Sequence, residues 1–301
     1  MGKQLEIPFL MGLILIATAF PILGQAGRDS SLRQLPDEAT SNYKRGVAFY
    51  DAGRYAESIE AFERAIRLDP RYALAYNALG VAQRNVGRYS EAIEALQQAV
   101  RIAPELAIAH YNLGVAYSKL KQYPEAIAAY QEAIRLKPDH AAAYSDLGSV
   151  YTDLGQYKEA IESLRQATRL DPHLASAFNN LGCAYSHEGN AAKAIEAFKT
   201  SLQLDPGFVL ALGNLGAEYF RLKKFKEAER MIREAIGLDP NLAEAHYLLG
   251  KIYLALKQKG SAIEQYKKLQ SLDARLSAKL YREIFKGKII DAVRDMRLRE
   301  R

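Results

Sequence analysis

The sequence predicts an all-α protein built as a solenoid, and three observations carry that reading. Glycines recur at 34-residue intervals, at Gly46, Gly80, Gly114, Gly148, Gly182, Gly216 and Gly250. Prolines keep the same beat at Pro70, Pro104, Pro138, Pro172, Pro206 and Pro240. Between them, apolar residues fall at the i, i+3, i+4, i+7 spacing of amphipathic helices. A repeat of this length is one supersecondary unit that cannot bury its apolar face alone, so neighbouring units must stack into a continuous core.

With the glycine set at position 8, the first unit begins at Ala39 and seven follow one another: 39–72, 73–106, 107–140, 141–174, 175–208, 209–242 and 243–276. Each holds a first helix over about positions 1–14 and a second over about positions 18–31. Unit 73–106 shows the logic. Tyr76, Leu79, Gly80 and Gln83 share one side of its first helix. Gly87 stops that helix, because a residue without Cβ takes the left-handed conformation after the C-cap at little cost. The second helix turns Ala92, Leu96, Ala99 and Val100 inward. Pro104 closes the unit, since it lacks the N–H of the helix ladder and biases the preceding residue out of helical geometry. The small residues at positions 8 and 20 (Ala92, Ala126, Ala160, Ala194, Ala228, Ala262) let the two helix backbones approach closely.

This set of columns resembles the tetratricopeptide repeat: an aromatic at position 4, Leu-Gly at 7–8, Tyr at 11, Ala at 20, an aromatic at 24, Ala at 27 and Pro at 32. The third unit carries nearly all of it in Leu113, Gly114, Tyr117, Ala126, Tyr130, Ala133 and Pro138. Departures are local: Ser58 stands at position 20 of the first unit, Gln83 at 11 of the second, Ala191 at the aromatic place 17 of the fifth, and Ala274 at the proline place of the seventh. The resemblance spans residues 39–276 and implies a right-handed α-solenoid of helix-turn-helix units with a ligand groove along its concave side.

The flanks read differently. Ile7 to Leu23 is an uncharged apolar run after Lys3, followed by the small-x-small triplet Gly24-Gln25-Ala26. Residues 1–26 are expected to be a cleaved export signal or an uncleaved anchor. Residues 27–38 are polar, contain Pro36 and have no apolar period, as a linker does. Either reading of the leader exports the repeats across the cytoplasmic membrane, to a periplasmic, secreted or membrane-anchored location. Residues 277–301 are expected to form a basic C-terminal capping helix, with Leu280, Ile284, Ile290 and Val293 as its seam and Gly287 as a break. Its outer face carries Lys279, Arg282, Lys286, Arg294, Arg297 and Arg299. That face either solvates the end of the solenoid or contacts an anionic membrane or acidic partner.

Composition excludes several function classes. The net charge is +6, and residues 277–301 hold eight Lys/Arg against four Asp/Glu, which leaves the repeat body near neutral. A nucleic-acid-binding solenoid needs a basic groove, so nucleic acid is not expected as a partner. One cysteine, Cys183, cannot form an internal disulfide, and its expected role is a small apolar filler. His110 and His246 fall on packing positions, His140 and His173 in turns, and no set of residues has metal-ligand spacing. His187-Glu188 lacks the second histidine of a zinc-protease motif, and there is neither a phosphate-cradling glycine loop nor a nucleophile elbow. Catalytic residues, metal and cofactor are therefore all read as none, and the chain as not an enzyme.

At about 100° per residue, positions 2, 5, 6, 9, 12 and 13 of the first helices face away from the packed side and are expected to line one concave groove. Candidate binding residues there are Tyr43, Tyr50, Asn77, Arg84, Tyr111, Asn112, Lys119, Asp146, Asn179, Asn180, His187, Asn214 and Arg221. The asparagine column is similar to that of the O-linked N-acetylglucosamine transferase superhelix, where the resemblance implies amides holding an extended peptide by its backbone. The alternative is that these amides bond between repeats. The Lys/Asn/Arg clamp by which some tetratricopeptide domains grip a terminal carboxylate is absent from every run of three units. Tyr43, Tyr50 and Tyr111 instead suit an aromatic or apolar segment. The expected function is a non-enzymatic scaffold holding a protein or extended peptide at the cell envelope. Two other expectations compete: a substrate-recruiting subunit of a glycosyltransferase-like system, and an envelope assembly factor touching membrane through its basic tail.

Overall fold

The computed structural model describes residues 37–299. The export signal or anchor, the linker up to residue 36, and the side chains of Ile290, Val293, Arg294, Arg297 and Arg299 lie outside what is described. Every element is an α-helix, and the helices come in pairs. Two compact units divide after Pro172.

The N-terminal unit holds α1 (Asp37–Asp51), α2 (Tyr55–Leu68), α3 (Ala73–Asn85), α4 (Tyr89–Ile102), α5 (Ala107–Lys119), α6 (Tyr123–Leu136), α7 (Ala141–Asp153) and α8 (Tyr157–Leu170). The C-terminal unit holds α9 (Ala175–Glu188), α10 (Ala191–Leu204), α11 (Val209–Arg221), α12 (Phe225–Leu238), α13 (Ala243–Ala255), α14 (Lys259–Leu272) and α15 (Ala274–Arg299). The pairs coincide with the seven sequence repeats. Second helices start at position 17, one residue earlier than the pattern suggests, and α1 starts two residues before its repeat.

Packing inside a pair depends on the glycine. A Cβ built on Gly148 would lie 2.5 Å from Leu164 Cγ and 3.1 Å from the Ala160 carbonyl, and one on Gly114 would lie 2.7 Å from the Tyr130 ring. The residue at position 24 therefore occupies the space a side chain at position 8 would need, and Tyr130, Phe62, Phe198, Leu96, Leu164 and Ile232 are fully buried there. Ala92, Ala126, Ala160, Ala194, Ala228 and Ala262 are each 0% exposed, as close helix approach requires.

The turn between helices reverses the chain through a positive φ at position 15. Glycine fills that place at Gly53, Gly87, Gly155 and Gly189, with φ of 73°, 78°, 75° and 90°. Lys121, Lys223 and Lys257 hold the same left-handed conformation at 58°, 59° and 63°.

The tail departs from the sequence expectation in two ways. Helix α15 runs from Ala274 without a break at Gly287. It starts early because Asp273 caps it, accepting from Leu276 N at 2.8 Å, and an aspartate at this place satisfies an otherwise orphaned N–H. A glycine inside a helix costs about 1 kcal/mol, which is too little to interrupt one that is capped and packed. Leu280 and Ile284 are buried against α13 and α14, as a cap requires.

Candidate partner-binding face

In each unit the first helices of successive repeats touch one another (α1 with α3, α3 with α5, α5 with α7; and α9 with α11, α11 with α13, α13 with α15). Among the described residues no such contact joins consecutive second helices. Rows that touch on one layer and splay on the other curve toward the touching layer. The first helices therefore form the inner face of each unit, where the sequence places its candidate residues.

The asparagines on that face are committed to each other. Asn112 Nδ2 donates to Asn77 Oδ1 at 2.9 Å in the N-terminal unit, and Asn214 Nδ2 donates to Asn179 Oδ1 at 3.0 Å in the C-terminal unit. All four are between 2% and 5% exposed. Position 5 of one repeat thus bonds position 6 of the next. This is the geometry of bonds between repeats rather than of amides offered to a peptide, since a buried amide that left its partner would orphan it. Asn180 stays partly exposed, with its Oδ1 accepting from Asn179 at 3.3 Å.

The same 5-to-6 register is used with other chemistry at repeats three and four. Tyr111 Oη donates to Asp146 Oδ2 at 2.9 Å. Tyr111 is 4% exposed, with its ring 4.7 Å from His140 and 6.0 Å from Tyr130. Burial raises the Asp146 carboxyl from 3.8 to about 6, while the Tyr111 bond, Arg84 and Lys119 pull it back. Lys119 is held below the usual lysine range by desolvation of its ammonium and by Arg84, against the pull of Asp146. Arg84 is half-buried and Lys119 exposed. Among the described residues neither forms an ion pair.

The first repeat carries further aromatic rings. Tyr43 packs between Phe62 at 5.8 Å and Tyr72 at 5.1 Å, and burial raises its hydroxyl well above the ordinary range. Tyr50 lies edge-on to Tyr55 at 5.3 Å and accepts from Asn85. Asn85 lies at position 13 in the groove arc, whereas Tyr55 and Tyr72 lie at positions 17 and 34, outside the first-helix arc from which the candidate residues were drawn.

The C-terminal unit builds its face differently. Glu218, 0% exposed, accepts from Ser186 Oγ at 2.6 Å and pairs with Arg221 through Nε at 3.2 Å and through Nη2. Arg221 is thus the counter-ion of a buried carboxylate as well as a surface group. His187 is partly buried beside this cluster in sequence. Lys251 escaped sequence reasoning: it stands at position 9 of the seventh repeat, with its ammonium 5.5 Å from both the Phe220 and Tyr247 rings. Reading the position-9 column through all seven units would have found it. Cys183 is partly buried with its Sγ 3.3 Å from Asn214 Nδ2.

Among the described residues no group of side chains could hold a metal ion, and no helix is long and apolar enough to cross a membrane. His246 is fixed between the Pro240 carbonyl at 3.0 Å and Gln265 at 2.8 Å, and His110 contacts the Pro104 carbonyl at 2.9 Å. All three contacts belong to packing.

Paired helices with a glycine packed against a large apolar side chain and a positive-φ turn in each of seven repeats define a tetratricopeptide-repeat protein, the architecture of a protein-interaction scaffold. Residues 28–279 match the family described as Cilia and flagella-associated protein 70 C-terminal domain, and the chain belongs to that family. No match is found among curated proteins. Among solved structures, a tetratricopeptide repeat protein from Parabacteroides merdae aligns with TM-score 0.67 and 20% identity, covering 83% of this chain and 100% of that one. A chain of the APC/C hetero-tetramer Cut9-Hcn1 aligns with TM-score 0.70 and 21% identity over 79% of this chain and 48% of its own. PilF of Pseudomonas aeruginosa aligns with TM-score 0.61 and 21% identity, over 70% and 97%. At these identities the likeness concerns the fold.

Proposed function

We propose that this chain is a non-catalytic scaffold that holds an extended segment of a partner protein on the inner face of its first helices, on the exported side of a cytoplasmic membrane. The observation that carries the proposal is the inner face of the N-terminal unit. There, Arg84 and Lys119 present two cations without ion-pair partners among the described residues, and the Tyr50 hydroxyl lies within the field of Arg84. The export reading rests on the apolar run at residues 7–23 and the triplet that follows it. The assembly of Cut9 with Hcn1 is a property of that neighbour, and it accords with a partner-holding role here.

Affinity capture from an envelope extract tests the binding face. Partners recovered by the wild type are expected to be lost or reduced with Arg84→Gln/Lys119→Gln and retained with an exposed control, Lys223→Gln/Lys224→Gln. Equal recovery in all three removes the face from the proposal. N-terminal sequencing of the mature protein tests export: a start at Gly27 supports a cleaved signal, and a soluble product beginning at residue 1 contradicts both leader readings.

A further inference from the structure

We propose that Arg84 and Lys119 form a receptor for a carboxylate of an acidic partner segment, with Asp146, fixed by Tyr111, as the counter-charge that weakens it when ionised. The proposal rests on the peptide-holding face described above and names the chemistry that face selects.

Three helices bring the group together. Arg84 ends α3, Lys119 ends α5, and Asp146 lies in the middle of α7, where Tyr111 of α5 reaches across to it. The two cations stand at positions 12 and 13 of successive first helices that touch one another, and each lies within the field of the other and of Asp146. A guanidinium and an ammonium with no carboxylate in contact each keep their full complement of donors for an incoming one. Asp146 does not serve either of them as a salt-bridge partner: its Oδ2 is taken by Tyr111, and among the described residues no carboxylate oxygen lies within ion-pairing distance of either cation. It acts through the field alone.

The charge count of the group follows. With Asp146 ionised the trio carries +1, and with Asp146 protonated it carries +2. Among the described residues, the groups facing Asp146 are Arg84 from α3, Tyr111 and Lys119 from α5, and Tyr130 from α6. Neither tyrosine loses its proton near neutrality, because burial raises both well above the phenol range. His140, the N-cap of α7, lies with its ring tilted 4.7 Å from that of Tyr111 and is a further titratable group nearby; burial lowers it. Asp146 changes charge around pH 6, whereas a ligand glutamate stays mostly ionised to about pH 4.5. Lowering the pH from 7.5 to 5 therefore strengthens the receptor before it discharges the ligand. Nonspecific attraction to a fixed basic surface has no such response.

The test uses the full chain and fluorescein-labelled octapeptides at low ionic strength, where a screened charge contact is still visible. The probes are (Glu-Tyr)4 amide, (Gln-Tyr)4 with a free C-terminus, and (Gln-Tyr)4 amide. Fluorescence anisotropy is expected to show (Glu-Tyr)4 amide bound at least about tenfold more tightly than (Gln-Tyr)4 amide, a difference of about 1.4 kcal/mol. A preference for the free C-terminus would assign the same receptor to a terminal carboxylate. Arg84→Gln and Lys119→Gln are expected to erase the preference, and Lys223→Gln/Lys224→Gln to leave it.

Asp146→Asn keeps an acceptor for Tyr111, so it tests charge with little change of shape. It is expected to tighten binding of the acidic probe severalfold at pH 7.5 and to abolish the tightening between pH 7.5 and 5. Equal binding of all three probes overturns the carboxylate receptor and leaves the peptide-holding face standing. Loss of the preference in the Lys223/Lys224 variant overturns it as general charge. Weaker binding by Asp146→Asn, or a pH response that survives it, overturns the role of Asp146 and moves the response to His140.

Discussion

Leu280 of α15 fills the place beside Gly250 that, in each of the other six repeats, belongs to the position-24 side chain of the same repeat. Phe62, Leu96, Tyr130, Leu164, Phe198 and Ile232 stand against Gly46, Gly80, Gly114, Gly148, Gly182 and Gly216, but the atoms nearest a Cβ on Gly250 are all from Leu280. Tyr266, the position-24 residue of the last repeat, is only partly buried at the edge of the core, with its ring tilted 5.5 Å from that of Tyr281. The capping helix therefore completes the last repeat's core rather than merely covering it. Leu280→Ala is expected to destabilise the C-terminal unit by about 2–4 kcal/mol, the cost of a buried leucine truncated to a cavity. Urea unfolding followed by circular dichroism measures this; a change below about 1 kcal/mol would mean that α15 is a detachable cover.

The glycine contacts give a sharper expectation than the repeat pattern alone. At Gly148 even a methyl group would come within 2.5 Å of Leu164 Cγ, with the Ala160 carbonyl at 3.1 Å behind it. Gly148→Ala should therefore cost about 1–3 kcal/mol through overpacking, although alanine has the better helix propensity. A stabilised variant in the same unfolding assay would show that the pair can separate freely.

Three turns carry avoidable strain. Lys121, Lys223 and Lys257 hold φ near 60° where four other repeats place glycine. A left-handed conformation costs a residue with a Cβ about 1 kcal/mol, partly offset by the greater chain entropy that glycine loses on folding. Lys223→Gly is expected to raise stability by a few tenths to about 1 kcal/mol. A lowered melting temperature would mean that the lysine makes a contribution that outweighs its backbone.

The repeating part of this molecule was legible because each of its columns is tied to one steric requirement. Gly148 and Ala160 recur as small residues because two backbones meet there, and Pro172 recurs because a helix must end. The inner face was harder to read for the same reason. Asn112 and Lys119 both lie in columns turned from the packed side, yet one is buried against Asn77 and the other is free to meet solvent. Helical phase places a residue in an arc but does not say whether the neighbouring repeat covers it. The Tyr111–Asp146 bond and the Glu218–Arg221 pair depend on which residue the next repeat presents, and no single repeat contains that information.

Glu218 has no exposure, and its carboxylate is held by Ser186 and Arg221. Removing the arginine would leave an uncompensated charge in the core of the C-terminal unit. Arg221→Gln is accordingly expected to cost about 2–4 kcal/mol, well above the fraction of a kcal/mol typical of an exposed pair. Glu218→Gln in the Arg221→Gln background should recover part of that loss, because the neutral amide can still accept from Ser186. Additive losses in the double variant would show that the two residues act independently.

Asp146 makes stability depend on pH in the sense opposite to that of most paired carboxylates. In the unfolded chain an aspartate ionises near pH 3.9, whereas burial in the fold holds Asp146 at about 6. The folded state thus binds this proton more tightly, and ionisation is more costly there. The stability that the protonated group contributes is complete below about pH 4 and is lost as pH rises through 6. Asp146→Asn removes that loss, so the variant should gain on the wild type as pH rises from 4.5 to 7.5, by on the order of 1–2 kcal/mol. Tyr111 keeps an acceptor in the variant, so the change in slope reports the charge rather than the hydrogen bond. Parallel melting curves for the two proteins across that range would mean that water reaches the carboxylate and that Asp146 ionises as an ordinary surface aspartate.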